Sequence, residues 1–119
     1  MERLLRRADF LKATGGRKVS TPAFVLQAVR RADHDAVRVG FTVSRKVGTA
    51  VERNRVRRRL REVVKRTEGR HSGGRLSAGH DYVLIGRRAA LQLPFDRMIE
   101  EFETALRRLK LLGSAEMDR

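Results

Sequence analysis

The sequence predicts an α+β fold: a small two-layer sandwich of helices on a sheet of about four strands, in the order α-β-β-α-β-α. Residues 37–44 alternate apolar and polar side chains, the two-residue period of a half-buried strand. Val56, Leu60, Val63 and Val64 recur at helical spacing and form one apolar stripe. The chain has 119 residues and no cysteine, so one hydrophobic core must hold it without disulfides or thiolate-bound metal. Residues 1–113 are read as a single domain and 114–119 as a C-terminal tail.

Each element has a local reason. Arg6 to Thr14 reads as a short helix, with Asp9 near its start and Gly15-Gly16 ending it. Ala23 to Arg30 and Ala36 to Ser44 read as strands joined by the polar turn RADHD, and their adjacency predicts a hairpin. A helix follows, opened by the capping box Thr49-Ala50-Val51-Glu52, and it should stop before Gly69. GRHSGGRLSAG is loop by composition. DYVLIGR, Asp81 to Arg87, reads as a strand buried on both faces around Val83, Leu84 and Ile85. The last helix begins near Pro94 and packs through Phe95, Met98, Ile99, Phe102, Leu106 and Leu109.

Charge narrows the function. Lys and Arg number 28 against 14 Asp and Glu, a net charge of +14. Self-repulsion on that scale disfavours a compact state, so a polyanionic partner is expected. An anionic membrane is the poorer partner, because no long apolar run is present and the basic segment is rich in arginine beside small Val and Leu. A cytoplasmic location is the corresponding expectation.

The basic charge concentrates in one helix. Eight of the sixteen residues from Val51 to Arg66 are basic. At 100° per residue, Arg53, Arg57 and Arg61 line one edge of the apolar stripe and Arg55, Arg59 and Arg66 the other. Asn54, Arg58 and Lys65 lie on the back. Cations in the first turns oppose the helix dipole, and like charges four apart each cost a few tenths of a kcal/mol. Arginine's planar fork also matches phosphate two bonds at a time. With Asn54 the only amide on this face, backbone and shape contacts are favoured over base reading. That suits folded RNA better than duplex DNA.

Catalytic constellations are missing from the sequence. His34, His71 and His80 fall in turns or loops without metal-ligand spacing, and Gly73-Gly74 lacks the lysine and helix of a phosphate loop. Glu100-Glu101 belongs to a helix whose charge order already accounts for it.

The stretch VGFTVSRKVGTAVERNRVRRRLREVVK, with Arg53-Asn54-Arg55 at its centre, resembles the signature of the bacterial ribonuclease P protein component. RRADFLKATGGR before it and DYVLIGRRAA after it extend the resemblance over nearly the whole chain. The resemblance implies a left-handed βαβ crossover through the basic helix. It also implies a ribonucleoprotein endonuclease in which a catalytic RNA, using Mg2+, removes the 5′ leader of precursor tRNA. No protein partner is required. On that reading Arg45, Lys46, Arg53, Asn54, Arg55, Arg57, Arg58, Arg61 and Lys65 would bind the catalytic RNA and neighbouring substrate. Phe10, Arg17, Arg87 and Arg88 would line a cleft for the leader, Phe10 by stacking on a base. Thr14 and Gln27 stand where many members have aromatics, which shifts leader binding toward hydrogen bonds and charge. No residue is assigned to catalysis or to metal. The alternative is a ribosomal-type structural RNA binder.

Overall fold

The structure, a computed structural model, describes residues 2–31, 35–70 and 76–117, with side chains as far as Lys110 and without that of Arg70. Five strands form one sheet: β1 Glu2–Arg3, β2 Arg17–Ser20, β3 Phe24–Arg30, β4 Arg38–Thr42 and β5 His80–Gly86. Their spatial order is β1-β4-β5-β3-β2. The helices are α1 Arg7–Thr14, α2 Ala50–Arg70 and α3 Phe95–Met117, and short 3-10 turns at Arg45–Val47 and Arg88–Leu91 introduce α2 and α3.

The α+β sandwich is as expected, but the pairing differs. β3 and β4 do not form a hairpin. β5 lies between them, antiparallel to β3 and parallel to β4. β5, buried at five of its seven positions, thereby has a partner on each edge. The two edge strands escape the periodicity because they are short and polar. β1 has two residues, and β2, Arg-Lys-Val-Ser, has one apolar side chain. Charged short edges also discourage further strand addition.

The core lies between one face of the sheet and α2 with α3. Phe24, Leu26 and Leu84 meet Val56, Leu60, Val63, Met98 and Phe102, all fully buried. Phe24 and Phe102 meet edge to face, with centroids 6.0 Å apart. α1 covers part of the opposite face, so this region has a third layer. There Ala13 and Phe10 pack with Leu4, Val83, Val29 and Ile85. Gly40 is required under α1, since a Cβ on it would come within 2.6 Å of the Phe10 ring.

Asp81 fastens this layer. It is 2% exposed and receives Arg38 through two bonds of 2.8 and 2.7 Å and Arg31 through one of 2.5 Å. Arg38 also reaches Asp9 on α1 at 3.4 Å. Burial by itself would raise the Asp81 pKa, but the hydrogen bonds from Arg38 and Arg31 prevail and hold it below the usual value.

Two boundaries move. α2 runs through Gly69 to Arg70, since an exposed glycine, where an added Cβ would meet nothing within 4 Å, costs a helix only ~1 kcal/mol. α3 continues past Gly113 to Met117. Of the segment read as loop, residues 71–75 lie outside the described residues, as does His34.

Candidate RNA interface

The entry to α2 is built by short-range bonds. The backbone N–H of Thr49 donates to Glu52 Oε1 at 3.0 Å, and that of Glu52 to Thr49 Oγ1 at 3.2 Å, the predicted capping box. Arg88 ties the corner together, donating to the Val47 carbonyl at 2.7 Å and to Glu52 Oε2 at 3.1 Å. Gly48 has φ 157°, a backbone conformation that side-chain-bearing residues rarely adopt, so glycine suits this corner. The Thr49 hydrogen bond, with Arg88 next, holds the Glu52 pKa below its usual value. Arg45 and Lys46 stand exposed on the preceding turn while Val47 is buried.

Beyond the corner, Val56, Leu60, Val63 and Val64 are fully buried, which fixes the opposite side of α2 outward. Asn54, Arg55, Arg58, Arg61 and Lys65 are exposed, and Arg53 and Arg57 half-buried. Arg57 donates to Asn54 Oδ1 at 3.0 Å and Arg53 to the Gly48 carbonyl at 3.1 Å. Arg61 lies over the Phe41 ring at 5.6 Å. Burial lowers its pKa, and the nearby cations Arg3 and Arg57 add to the effect. Among the described residues no carboxylate pairs with Arg53, Arg55, Arg57, Arg58, Arg61 or Lys65. On this helix Glu62 pairs with Arg66 and Glu52 with Arg88. The cationic face is therefore presented without internal neutralisation.

Arg59 has a separate task. Its Nε donates to the Ala90 carbonyl at 2.7 Å, Nη2 donates to the Leu93 carbonyl, and the guanidinium lies 4.4 Å from the Phe95 centroid. Arg66 approaches the same ring at 4.7 Å. These residues bind α2 to the start of α3, a role helical spacing cannot reveal because the acceptors lie far along the chain. Asp81 likewise reads in the sequence only as a strand residue. The available signal is an acid opening an otherwise apolar strand.

Of the four residues grouped as a leader cleft, Arg17 and Arg88 make contacts away from Phe10. Phe10 is half-buried on the α1 side of the sheet, above Gly40. Arg17 shares its strand face with buried Val19 and donates to the Leu109 carbonyl of α3 at 2.8 Å, so it lies on the other face. Strand alternation accounts for its placement: an odd step from Val19 would have been needed to reach Phe10's side. Arg88 belongs to the α2 entry, and Arg87 holds the Thr21 carbonyl at 2.9 Å beyond the end of β5. Gln27 is 4% exposed, and Thr14 is exposed with its hydroxyl donating to the Leu11 carbonyl.

A family model described as Ribonuclease P matches residues 1–110. The chain belongs to the ribonuclease P protein family. It is 44% identical over 117 residues to the ribonuclease P protein component of Paramagnetospirillum magneticum, covering 94% of this chain and 85% of the relative. Identity to that of Gluconacetobacter diazotrophicus is 46% over 113 residues, with 94% of both chains covered. Among solved structures, the RNase P protein of Staphylococcus aureus superimposes with a TM-score of 0.73 at 28% identity, covering 92% of this chain and 96% of the other. That of Thermotoga maritima gives 0.72 at 30% identity, covering 91% and 97%. Family membership makes this chain a ribonuclease P subunit and disfavours the ribosomal-type alternative.

Among the described residues, no donor set fits the Mg2+ expected in the holoenzyme. Asp81 is saturated by two guanidiniums, and among the described residues no three His, Cys, Asp or Glu gather as ligands. Among the same residues, no helix is long and apolar enough to cross a membrane.

Proposed function

We propose that this chain binds the catalytic RNA of ribonuclease P through the outer face of α2 and assists that RNA in removing the 5′ leader of precursor tRNA. The carrying observation is the row of guanidiniums on α2 that the chain's own carboxylates leave unpaired. Phosphates would neutralise them with charge-assisted, often bidentate bonds. Asn54, Arg55, Arg58, Arg61 and Lys65 form the outward part of this surface. Arg53 and Arg57 flank it, and Arg45 and Lys46 extend it at the helix entry. Phosphodiester hydrolysis falls to the RNA, with magnesium held there, and this chain contributes binding and orientation.

Phe10 supports a second contact, to the unpaired leader. Its half-buried ring on the α1 side offers a stacking surface. Arg17, tied to α3 on the other face, is not proposed for that contact.

The deciding experiment adds the purified protein to a bacterial ribonuclease P RNA and precursor tRNA at low magnesium. The protein should promote 5′ leader release with the RNA present and release none alone. Cleavage by the protein without RNA would overturn the assignment of chemistry, and no stimulation would overturn the assignment of function.

A further inference from the structure

α1 is poorly equipped to hold its own place. It has eight residues, no side chain caps its N-terminus, and Ala13 is its one buried residue. Leu11, which could anchor it, is 58% exposed. A helix this short is marginal in water, so its position over the sheet must come from tertiary contacts. Its flanks are fixed through the backbone. Before it, the Leu4 N–H donates to the Val39 carbonyl at 2.9 Å. After it, Gly16 lies so near β3 that a Cβ would come within 2.1 Å of the Ala28 carbonyl oxygen. Between these ends, the Phe10 ring and the contact of Asp9 with Arg38 join the helix to the sheet.

Arg38 is the centre of a bridge. Its Nε and Nη2 donate to both oxygens of Asp81, which lies opposite it on β5, while Nη1 reaches Asp9 Oδ2. Arg31 holds Asp81 from the β3 side and donates also to the carbonyls of His80, Asp35 and Ala36, at 3.2, 3.1 and 2.8 Å. Asp81 is thus a fixed point of the sheet, and Arg38 extends it to α1. Asp9 immediately precedes Phe10. Gly40, the floor beneath the Phe10 ring, is two residues from Arg38 and so on the same face of β4.

We infer that Asp81, Arg38 and Asp9 are positioning residues for the leader contact: their carboxylate–guanidinium–carboxylate bridge from β5 to α1 sets where the Phe10 ring stands above the sheet. The inference rests on the reading of Phe10 as the ring that meets the leader. A bidentate guanidinium fixes angle as well as distance, because its plane must match that of the carboxylate. Lysine would supply the charge without the fork. Placement matters because dispersion falls steeply once a base and a ring are held a fraction of an ångström too far apart. Two arginines and two carboxylates carry no net charge together, so the bridge adds nothing to the general attraction of RNA. What it contributes is geometry, which counterion release does not touch.

Asp9 is the outer end of the bridge, and changing it leaves the buried Asp81 paired with both arginines. The protein, assembled with a bacterial ribonuclease P RNA, is titrated with precursor tRNA and with leaderless tRNA. Asp9→Ala should weaken the precursor about threefold, the scale of one partly exposed ion pair, and leave leaderless tRNA unchanged. Arg38→Lys, which keeps the charge and loses the fork, should act in the same way. Asp9→Glu, which returns a carboxylate to Arg38, should recover most of the loss. The double variant Asp9→Ala, Phe10→Ala should lose no more than Phe10→Ala alone, because the bridge acts through the ring. No loss in Asp9→Ala, an equal loss on both tRNAs, no recovery in Asp9→Glu, or additive losses in the double variant would each overturn the bridge as a positioning device. The leader reading would survive any of these as long as Phe10→Ala alone still tells the two tRNAs apart. If Phe10→Ala treats both alike, the leader reading falls and the bridge falls with it.

Discussion

α2 and α3 have 21 and 23 residues and pack on the same face of the same sheet, yet their charges run in opposite senses. In α3, Asp96, Glu100, Glu101 and Glu103 precede Arg107, Arg108 and Lys110, the order that complements a helix dipole. Its early cation, Arg97, is paired with Glu101 at 3.7 Å. In α2, Arg53 and Arg55 occupy the first turns, and the nearby Glu52 is spent on the cap and on Arg88. One helix is charged for its own stability and the other against it. Since both bury their apolar stripes equally well, the difference cannot be a demand of the core. It is the ground on which α2 is proposed as the helix whose charge an RNA completes.

The comparison breaks most visibly by reversing charge on α2. Arg57→Glu with Arg61→Glu should weaken binding to the catalytic RNA by ~3 kcal/mol or more, as two charge-assisted hydrogen-bonding groups are removed. The log-log salt dependence should flatten by about one unit for each phosphate no longer neutralised. Thermal unfolding should occur at the same temperature or higher, because the carboxylate introduced at position 57 stands four residues from Arg53 and that at position 61 four residues from Lys65, in a helix crowded with cations. Weaker binding with an unchanged salt slope would separate these arginines from phosphate.

α1 offers a contact of another kind. Phe10→Ala should weaken precursor tRNA more than leaderless tRNA by ~1 kcal/mol, the lower range for one base stacked on an aromatic ring. Unlike the α2 effect, this difference should change little with salt, because a ring contributes no counterion release. Leaderless tRNA in the same titration controls for any loss of folded protein. An equal loss on both substrates would remove Phe10 from the leader contact.

What could be read from the sequence divides along the range of the interactions. The Thr49–Glu52 capping box, the Val56–Leu60–Val63–Val64 stripe and the outward arginines depend on neighbours within two helical turns, and each is where spacing places it. Strand pairing does not. Alternation in residues 37–44 identifies the buried face of β4 but not its neighbour, and the neighbour is β5, some forty residues on. The same limit applies to the arginines. Arg59 and Arg58 are adjacent and alike in sequence. One is fixed by the carbonyls of Ala90 and Leu93 and the other is exposed, a distinction made by elements thirty residues away. Arg17 and Arg88 group with Phe10 in the sequence for the same reason: a set of basic residues carries no information about which face each will occupy.

The finest test gives α2 the charge order of α3. Val51 is 76% exposed in the first turn of α2, two residues after the cap, where an acid favours the helix dipole. Its side chain borders the concavity lined by Asn54, Arg57, Arg58 and Arg61. Val51→Asp should therefore act in two directions at once. Stability in urea should rise by ~0.5 kcal/mol, the usual worth of an acid in a helix's first turn. Affinity for the catalytic RNA should fall at low salt and recover toward that of the unaltered protein as salt screens the new charge. In α3, Asp96→Asn is the mirror change: a similar small loss of stability without loss of RNA affinity. Were Val51→Asp to strengthen both folding and RNA binding, the first turn of α2 would not face phosphate. The early arginines of α2 would then need an explanation within the fold.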